Sequence, residues 1–386
     1  MMIETSTKKT SWWAVIAASF ATFAVVTTEM LPIGLLNPIV EQFSVSLSSV
    51  SLLMTIPAIV AAISSPLVVL FTGHFDRKTL LLFGVMLLIV CNLISAITPY
   101  FWILLLSRFF VGICIGIIWA NAGGLAPRLV AAKQIGFATS LIFGGVAAAS
   151  VIGIPLGVLI GEWLGWRGVF AVMSGFSCLL FILMAYSLPN LPSLQVPTVS
   201  LFIQQAKRPV IAIGLNITLL VVAAHFMAFT YIRPLLTAEG EINGQQLSGI
   251  LLIYGLAGIA GNFILGLCAS KRLNPTIITV VFGISASLAI FLLLPINIMT
   301  GSANLLLWGF MYGGVSVVLM TWMIIHSNKY IEITSSLYIA FFNLGIAAGS
   351  ALGGLTVALS DFHTNLLIAL LLLLITLIIL LSYREG

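Results

Sequence analysis

Three side chains stand out by type and position. Glu29, Arg108 and His225 each lie within a long run of apolar residues. If those runs cross a bilayer, a charged group in them costs at least about 2.5–3.5 kcal/mol, so it is retained for a purpose. Each sits seven residues from the end of its run on the side that the loop charges make the outer one, roughly 10 Å at a rise of 1.5 Å per residue. The three groups therefore share one depth, and the chemistry this permits is proton transfer. Desolvation favours a neutral carboxyl and a neighbouring arginine an ionised one. Glu29, balanced between them, would take up a proton in one conformation and give it up in another. The alternative is a permanently ionised Glu29–Arg108 pair that only braces two helices, a role that apolar packing can often fill. For His225 the options are a proton relay, a hydrogen bond to a bound solute, or a satisfied core histidine.

The elements that hold these groups follow from composition. Of 386 residues, 61% are hydrophobic and 6% charged, against roughly 25% charged in an average soluble domain. Mean hydropathy is +1.23, which leaves too little polar surface to coat a soluble globule. Leu273 to Asn328 is a stretch of 56 residues with no charged group, and Gly168 to Ala206 is another of 39; a spanning helix needs about 20 apolar residues. Apolar runs bounded by charges, proline and glycine predict an all-α integral membrane protein of twelve helices, at 12–36, 50–72, 80–97, 101–122, 136–160, 168–188, 209–232, 247–268, 276–295, 302–326, 335–359 and 365–382. On those bounds Glu29 is the one carboxylate, and Arg108 the one basic group, inside a span. The first run is too long for a signal peptide and lacks a small-residue cleavage site, so it is expected to be a retained span. Residues 189–208, with three prolines and then Lys207 and Arg208, predict a cytoplasmic linker between a six-helix bundle over 1–188 and a second over 209–386.

Orientation follows from Lys and Arg in the loops. With the N-terminus in the cytoplasm, the inner side receives Lys8, Lys9, Arg77, Lys78, Arg128, Lys133, Lys207, Arg208, Lys271, Arg272, Lys329 and Arg384, 12 in all, and the outer side only Arg167 and Arg233. Both termini are expected in the cytoplasm. The pI of 9.1 is thereby explained by topology, without a nucleic-acid partner. Four well-separated cysteines in apolar runs, with no C-x-x-C pair, predict small buried side chains and no metal site. There is no G-x-x-x-x-G-K-[ST] phosphate loop, and no cofactor is expected.

The chain also repeats itself at an offset of about 200 residues. Gly145 to Gly153 (GVAAASVIG) matches Gly345 to Gly353 (GIAAGSALG), Leu104 to Gly112 matches Leu305 to Gly313, and Glu29-Met-Leu-Pro32 matches Tyr231-Ile-Arg-Pro234. Six spans per copy is an even number, so the copies run parallel, an arrangement that suits a transporter rocking two bundles about a midplane site. Gly144, Gly145, Gly153, Pro155, Gly157 and Gly161 in span five combine small residues for close helix approach with a helix-bending proline, and an inter-half hinge surface is expected there.

These residues resemble the major facilitator superfamily, and within it the bacterial twelve-span drug:proton antiporters. Gly73-His-Phe-Asp76-Arg77-Lys78 resembles the loop motif G-x-x-x-D-R, one residue shorter between Gly and Asp. Ser107-Arg108-Phe-Phe-Val-Gly112 resembles the span-four motif R-x-x-x-G, and the span-five glycines with Pro155 resemble the antiporter motif. Thr27-Thr28-Glu29-Met-Leu-Pro32, Gly161-Glu-Trp-Leu-Gly-Trp166-Arg167 and Ala224-His225-Phe-Met-Ala-Phe-Thr-Tyr231-Ile-Arg-Pro234 are similar to the sugar-efflux and purine-ribonucleoside-efflux branch, a pattern shared by chloramphenicol exporters. The resemblance implies a proton-driven efflux antiporter of a bacterial inner membrane, acting by alternating access, as a monomer, on a sugar, a nucleoside or a drug. In it Glu29, tuned by Arg108, carries the proton, with His225 next in line. Asp76 and Arg77 with Gly73 secure the inner gate, and Gly153, Pro155 and Gly157 serve the hinge. Aromatic faces and amides that suit such cargo are Trp119, Asn121, His225, Phe229, Tyr231, Asn262, Trp322 and Asn343; for Trp119 and Trp322 the alternative is anchoring near the inner interface. A proton-coupled uptake symporter would use the same fold. A membrane-embedded enzyme would need a local reactive cluster, and the sequence has none.

Overall fold

A computed structural model describes residues 11–45, 47–192, 197–240, 242, 244–328 and 330–382. Lys8, Lys9, Lys329 and Arg384 of the loop-charge count, and linker residues 193–196, lie outside the described residues. Twelve helices among the described residues are long and apolar enough to cross a membrane, and the chain is a multi-pass membrane protein of two six-helix bundles. The spans are built on helices Trp12–Gly34, Leu47–Phe71, Arg77–Ile97, Phe101–Leu129, Ile135–Ala148 continuing through Ile154–Ser187, Pro209–Phe229, Gly244–Lys271, Leu273–Leu293, Ile298–Gly313 with Val315–His326, Ile331–Leu359 and Phe362–Ser382. Helix Ile154–Ser187 supplies both the end of span five and all of span six, reversing at Gly165, whose φ of 71° is open to glycine at little cost.

Several boundaries differ from the expected ones for local reasons. Span four runs to Leu129, because Pro127 and Arg128 fit its last turn without ending it. Spans one and seven are each followed by a short helix, Leu36–Phe43 and Ile232–Glu239, at matching places in the repeat. Span five is interrupted by a π turn over Ala149–Gly153, directly ahead of Pro155, which lacks the N–H an α-helix would use there. Span three opens at Arg77, capped by Asp76, whose carboxylate accepts from the Lys78 N–H at 2.8 Å. Span eleven opens at Ile331, which brings Glu332 inside it, and the helices of spans three and four take in Arg77 and Arg128; Glu29 and Arg108 are therefore not the one carboxylate and the one basic group within spans. The cysteine expectation holds for Cys91 and Cys114, which are buried, and fails for Cys178 and Cys268, which are exposed on helix surfaces that an apolar solvent would cover.

Within each half the repeat is visible as packing. A Cβ on Gly145 would overlap the Ser19 carbonyl oxygen of span one, and a Cβ on Gly349 would overlap the Ala223 carbonyl oxygen of span seven. Gly153 faces Thr27 and Gly157 faces Leu31. The glycine face of span five is thus a seat for span one of its own half. Span five also meets span eight of the other half, where Gly144 of that glycine set faces Phe263 and Ser140 accepts from Asn262. Pro155 lies in the first turn after the π segment.

The two halves meet through spans two and eleven, where Ser65 Oγ donates to the Ser336 carbonyl at 3.3 Å, and through spans five and eight, where Asn262 Nδ2 donates to the Ser140 carbonyl at 2.7 Å. At the end of the bundle that carries the linker, helix Val199–Lys207 sets Leu201 and Phe202 against Val69, Ala120 and Ile333. Those three residues come from spans two, four and eleven, so the linker helix covers the seam between the halves.

The close helix contact yields a test. Gly145→Ala forces span five off span one and should lower stability by about 1–3 kcal/mol, as overpacking does. Gly175→Ala, on a helix face with open space around it, should leave stability unchanged or raise it slightly. Thermal unfolding of the purified variants in one detergent measures both; equal midpoints would refute the packing.

Candidate functional site

Span one carries Thr28 and Glu29 one turn before Pro32. A proline at this position removes the N–H that would bond the carbonyl four residues earlier, so the Thr28 carbonyl is left without its helical donor. Arg108 supplies one. Its Nη1 donates to the Thr28 oxygen at 2.8 Å, and its Nη2 to Ser95 Oγ at 3.3 Å. The guanidinium lies 4.7 Å over the Phe170 ring and is fully buried. Ser95 Oγ shares a hydrogen bond with Ser107 Oγ at 2.9 Å, and Asn92 Nδ2 donates to Thr28 Oγ1 at 3.2 Å. Arg108 Nε and Asn92 Oδ1 are buried without a partner. Spans one, three, four and six thus enclose one cationic polar cluster.

Glu29 adjoins that cluster and is half-buried. Among the described residues the ion pairs are Arg77–Glu332 and Arg128–Glu332, so the Glu29–Arg108 bracing pair does not form. What ties spans one and four together is the arginine on a main-chain oxygen. The carboxylate next to it is left outside any ion pair among the described residues.

The second half places different chemistry at the corresponding position. The repeat aligns Ser107-Arg108 with Trp308-Gly309, and Trp308 Nε1 donates to His225 Nδ1 at 3.1 Å. His225 stacks on Tyr312 with ring centroids 3.2 Å apart and on Phe229 at 5.0 Å, and meets Phe226 edge-on at 5.1 Å. Phe229 stacks in turn on Tyr254 at 4.6 Å. The Tyr312 hydroxyl is buried and unpartnered. Of the cargo-facing candidates, His225 and Phe229 are thereby brought together.

The others are dispersed. Trp119 packs across the halves against Phe342 at 6.2 Å and against Phe143 at 5.8 Å, its Nε1 buried without an acceptor. Asn343, beside Phe342, donates to the Ile339 carbonyl of its own helix at 2.9 Å, and Asn121 does the same to Ile117 at 2.7 Å. Asn262 is used in the inter-half bond to Ser140. Tyr231 rests against Gly353 and Gly354. Trp322 is fully buried and donates to the Val210 carbonyl at 3.0 Å, at the start of span seven. It is a packing residue near the linker end, in line with the interface alternative.

A third constellation closes the linker end. Arg77 donates through Nε to Glu332 Oε1 at 2.8 Å, and its Nη2 pairs with Glu332 Oε2. Arg128 Nη1 reaches Glu332 Oε1 at 3.3 Å and its Nη2 the Pro192 carbonyl at 2.7 Å. Asp76 Oδ2 accepts from the Leu191 N–H at 2.7 Å, and Leu191 returns its carbonyl to the Arg77 N–H at 2.9 Å. A Cβ on Gly73 would overlap Pro197. Asp76, Arg77 and Gly73 therefore clamp the linker, and Arg77 with Arg128 grips the second half. Glu332, Arg128 and the aromatic partners Trp308, Tyr254 and Tyr312 are functional residues that the sequence reading did not single out. Trp308 could have been found from the repeat, where it stands opposite Ser107; Glu332 could have been found as a lone acid facing basic loops.

The profile of the Major Facilitator Superfamily matches residues 18–332. A probable sugar efflux transporter of Helicobacter pylori (strain P12) is 28% identical over 358 residues, 92% of this chain and 91% of the relative. A probable sugar efflux transporter of Mannheimia succiniciproducens is 27% identical over 347 residues, 89% of this chain and 87% of the relative. Among solved structures, the superfamily transporter FucP in its outward conformation superposes with a TM-score of 0.79 at 13% identity, covering 97% of this chain and 99% of the other. The human organic anion transporter MFSD10 (TETRAN) gives 0.74 at 15% identity, over 95% and 98%. With the profile spanning most of the chain and the twelve-span architecture in agreement, this chain belongs to the Major Facilitator Superfamily and is a membrane transporter, not an enzyme.

Proposed function

We propose that the chain is a proton-driven antiporter that exports a small neutral sugar across a bacterial inner membrane, with both termini and the linker in the cytoplasm. The observation that carries this is the buried Arg108 bonded to the Thr28 carbonyl beside Glu29. A cation fixed on a main-chain oxygen leaves the adjacent carboxylate without a permanent partner, and such a carboxylate can exchange a proton as its surroundings change. Support for the cargo comes from the names of the relatives, both probable sugar efflux transporters, and from stacked aromatic rings beside His225. Aromatic faces suit the C–H faces of a sugar ring, and a few polar groups fix its orientation. The loop charges support the orientation.

Alternating access then follows from the two halves. The clamp of Arg77, Arg128 and Glu332 holds the cytoplasmic end shut. In this state Glu29 takes a proton from outside. Opening of the clamp turns the site inward, where the proton leaves and cargo enters.

Two outcomes are expected. In inverted membrane vesicles, Glu29→Gln should abolish sugar accumulation driven by a pH gradient while exchange of sugar down its own gradient persists; undiminished coupled accumulation would move the proton to another group. Glu332→Gln leaves Arg77 and Arg128 facing each other without their shared anion, and loss of one partner of a buried ion pair costs about 3–5 kcal/mol. A cysteine placed at the buried seam residue Ser336, in a background without the native cysteines, should then react with a maleimide at least about tenfold faster. An unchanged rate would show that the clamp does not hold the seam closed.

A further inference from the structure

The bond between Trp308 and His225 has a direction. An indole N–H can only donate, so His225 Nδ1, 3.1 Å away, must present its lone pair. The proton of the neutral ring then sits on Nε2. Protonation at Nδ1 would set two N–H groups against each other in a fully buried contact, since Trp308 and His225 are both excluded from solvent. The ring is pinned on its faces by Tyr312 and Phe229 and at its edge by Phe226.

No anion stands by to stabilise a second proton. The titratable groups facing His225 are Tyr312 on span ten, in direct stacking contact, and Tyr254 on span eight beyond Phe229. Span nine contributes Phe291, against Trp308. From span eleven comes Ser350, on Thr230, and from span twelve Asn365, on the Met227 carbonyl. Tyr231 turns to Gly353 and Gly354. None of these is a carboxylate or a cation.

Two polar groups remain unused at this place. Among the described residues nothing accepts from His225 Nε2, and the hydroxyl of Tyr312, whose ring stacks on it, is buried with no partner. A buried polar group of this kind is ordinarily satisfied, and the orphaned Tyr312 hydroxyl points to a ligand that supplies the missing partner. A sugar hydroxyl both accepts and donates, so the hydroxyls of one sugar ring can serve an Nε2–H and a phenol.

We infer that Trp308 is a positioning residue that holds His225 as the neutral Nε2–H tautomer, and that His225 with Tyr312 forms the hydroxyl-binding pole of an aromatic-walled sugar subsite in the second half. His225 thereby leaves the proton path and becomes a determinant of cargo specificity. The sugar part of this inference rests on the proposed function; the tautomer part does not.

The full chain in nanodiscs, labelled with ¹⁵N-histidine, tests it. Four histidines give signals, and His225 is identified by its loss in His225→Gln. The expected result is an Nε2–H pattern for His225 that stays constant from about pH 5 to 8, the range in which an unperturbed histidine titrates, and that mixes tautomers in Trp308→Phe. An Nδ1–H pattern, or titration of His225 in the unaltered chain, overturns the assignment. In the binding arm the probe is L-arabinose. His225→Phe, which keeps the ring and removes the donor, should weaken arabinose binding roughly tenfold, the scale of one neutral hydrogen bond, while the number of protons moved per sugar is unchanged. Equal affinity, or a change in that number, overturns the specificity role. Absence of arabinose binding in the unaltered chain overturns the sugar assignment itself, and the NMR arm then decides the tautomer alone.

Discussion

A single hydrogen bond sets the character of the first half: Arg108 on the Thr28 carbonyl. It exists because Pro32 has no N–H to give that carbonyl, so an oxygen in the middle of a helix is available to a side chain from span four. Burying a guanidinium costs several kcal/mol unless its donors are used. Here the main-chain oxygen, the Ser95 hydroxyl and the Phe170 face share that task. The adjoining carboxylate is therefore not consumed in an ion pair. Proline in span one and arginine in span four have meaning only together, and the glycine seat of span five fixes span one where the two can meet.

The two halves are copies in backbone and differ in what the copies carry. Gly145 seats on Ser19 and Gly345 reaches the Leu219 carbonyl, pairs that are each shifted by the same 200 positions in the sequence. At the depth where one copy has Ser107 and Arg108, the other has Trp308 and Gly309; the backbone of Tyr254 closes on Gly309, and stacked rings surround His225. A duplicated scaffold has thus been given a charged centre in one copy and an aromatic centre in the other.

Much of this was legible from the amino-acid sequence, because in a bilayer the rules are strict. Apolar run lengths locate twelve helices, and Gly, Pro and paired basic residues mark where they end. Arg108 and His225 were legible as polar groups in apolar runs for the same reason. What was not legible depends on which helix faces meet. The glycine pattern of span five announces close packing but not its partners, which are span one for Gly145, Gly153 and Gly157 and span eight of the opposite half for Gly144. Glu332 sits within two residues of the start of its helix, where boundary uncertainty makes a span residue look like a loop residue. Trp308 and Tyr312 are silent in a hydropathy pattern; the repeat alone singles out Trp308, and only the contact with His225 singles out Tyr312.

The linker helix Val199–Lys207 rests on residues of spans two, four and eleven at once. In the proposed alternating-access cycle it serves as a stopper whose apolar underside, Leu201 and Phe202, is wetted when the bundles part at that end. The work of parting them then includes hydrating those two side chains, a term that shrinks on cooling as the hydrophobic effect weakens. A segment that neither spans the membrane nor touches the central groups thereby contributes to how long the transporter rests between turns, and to how that interval changes with temperature.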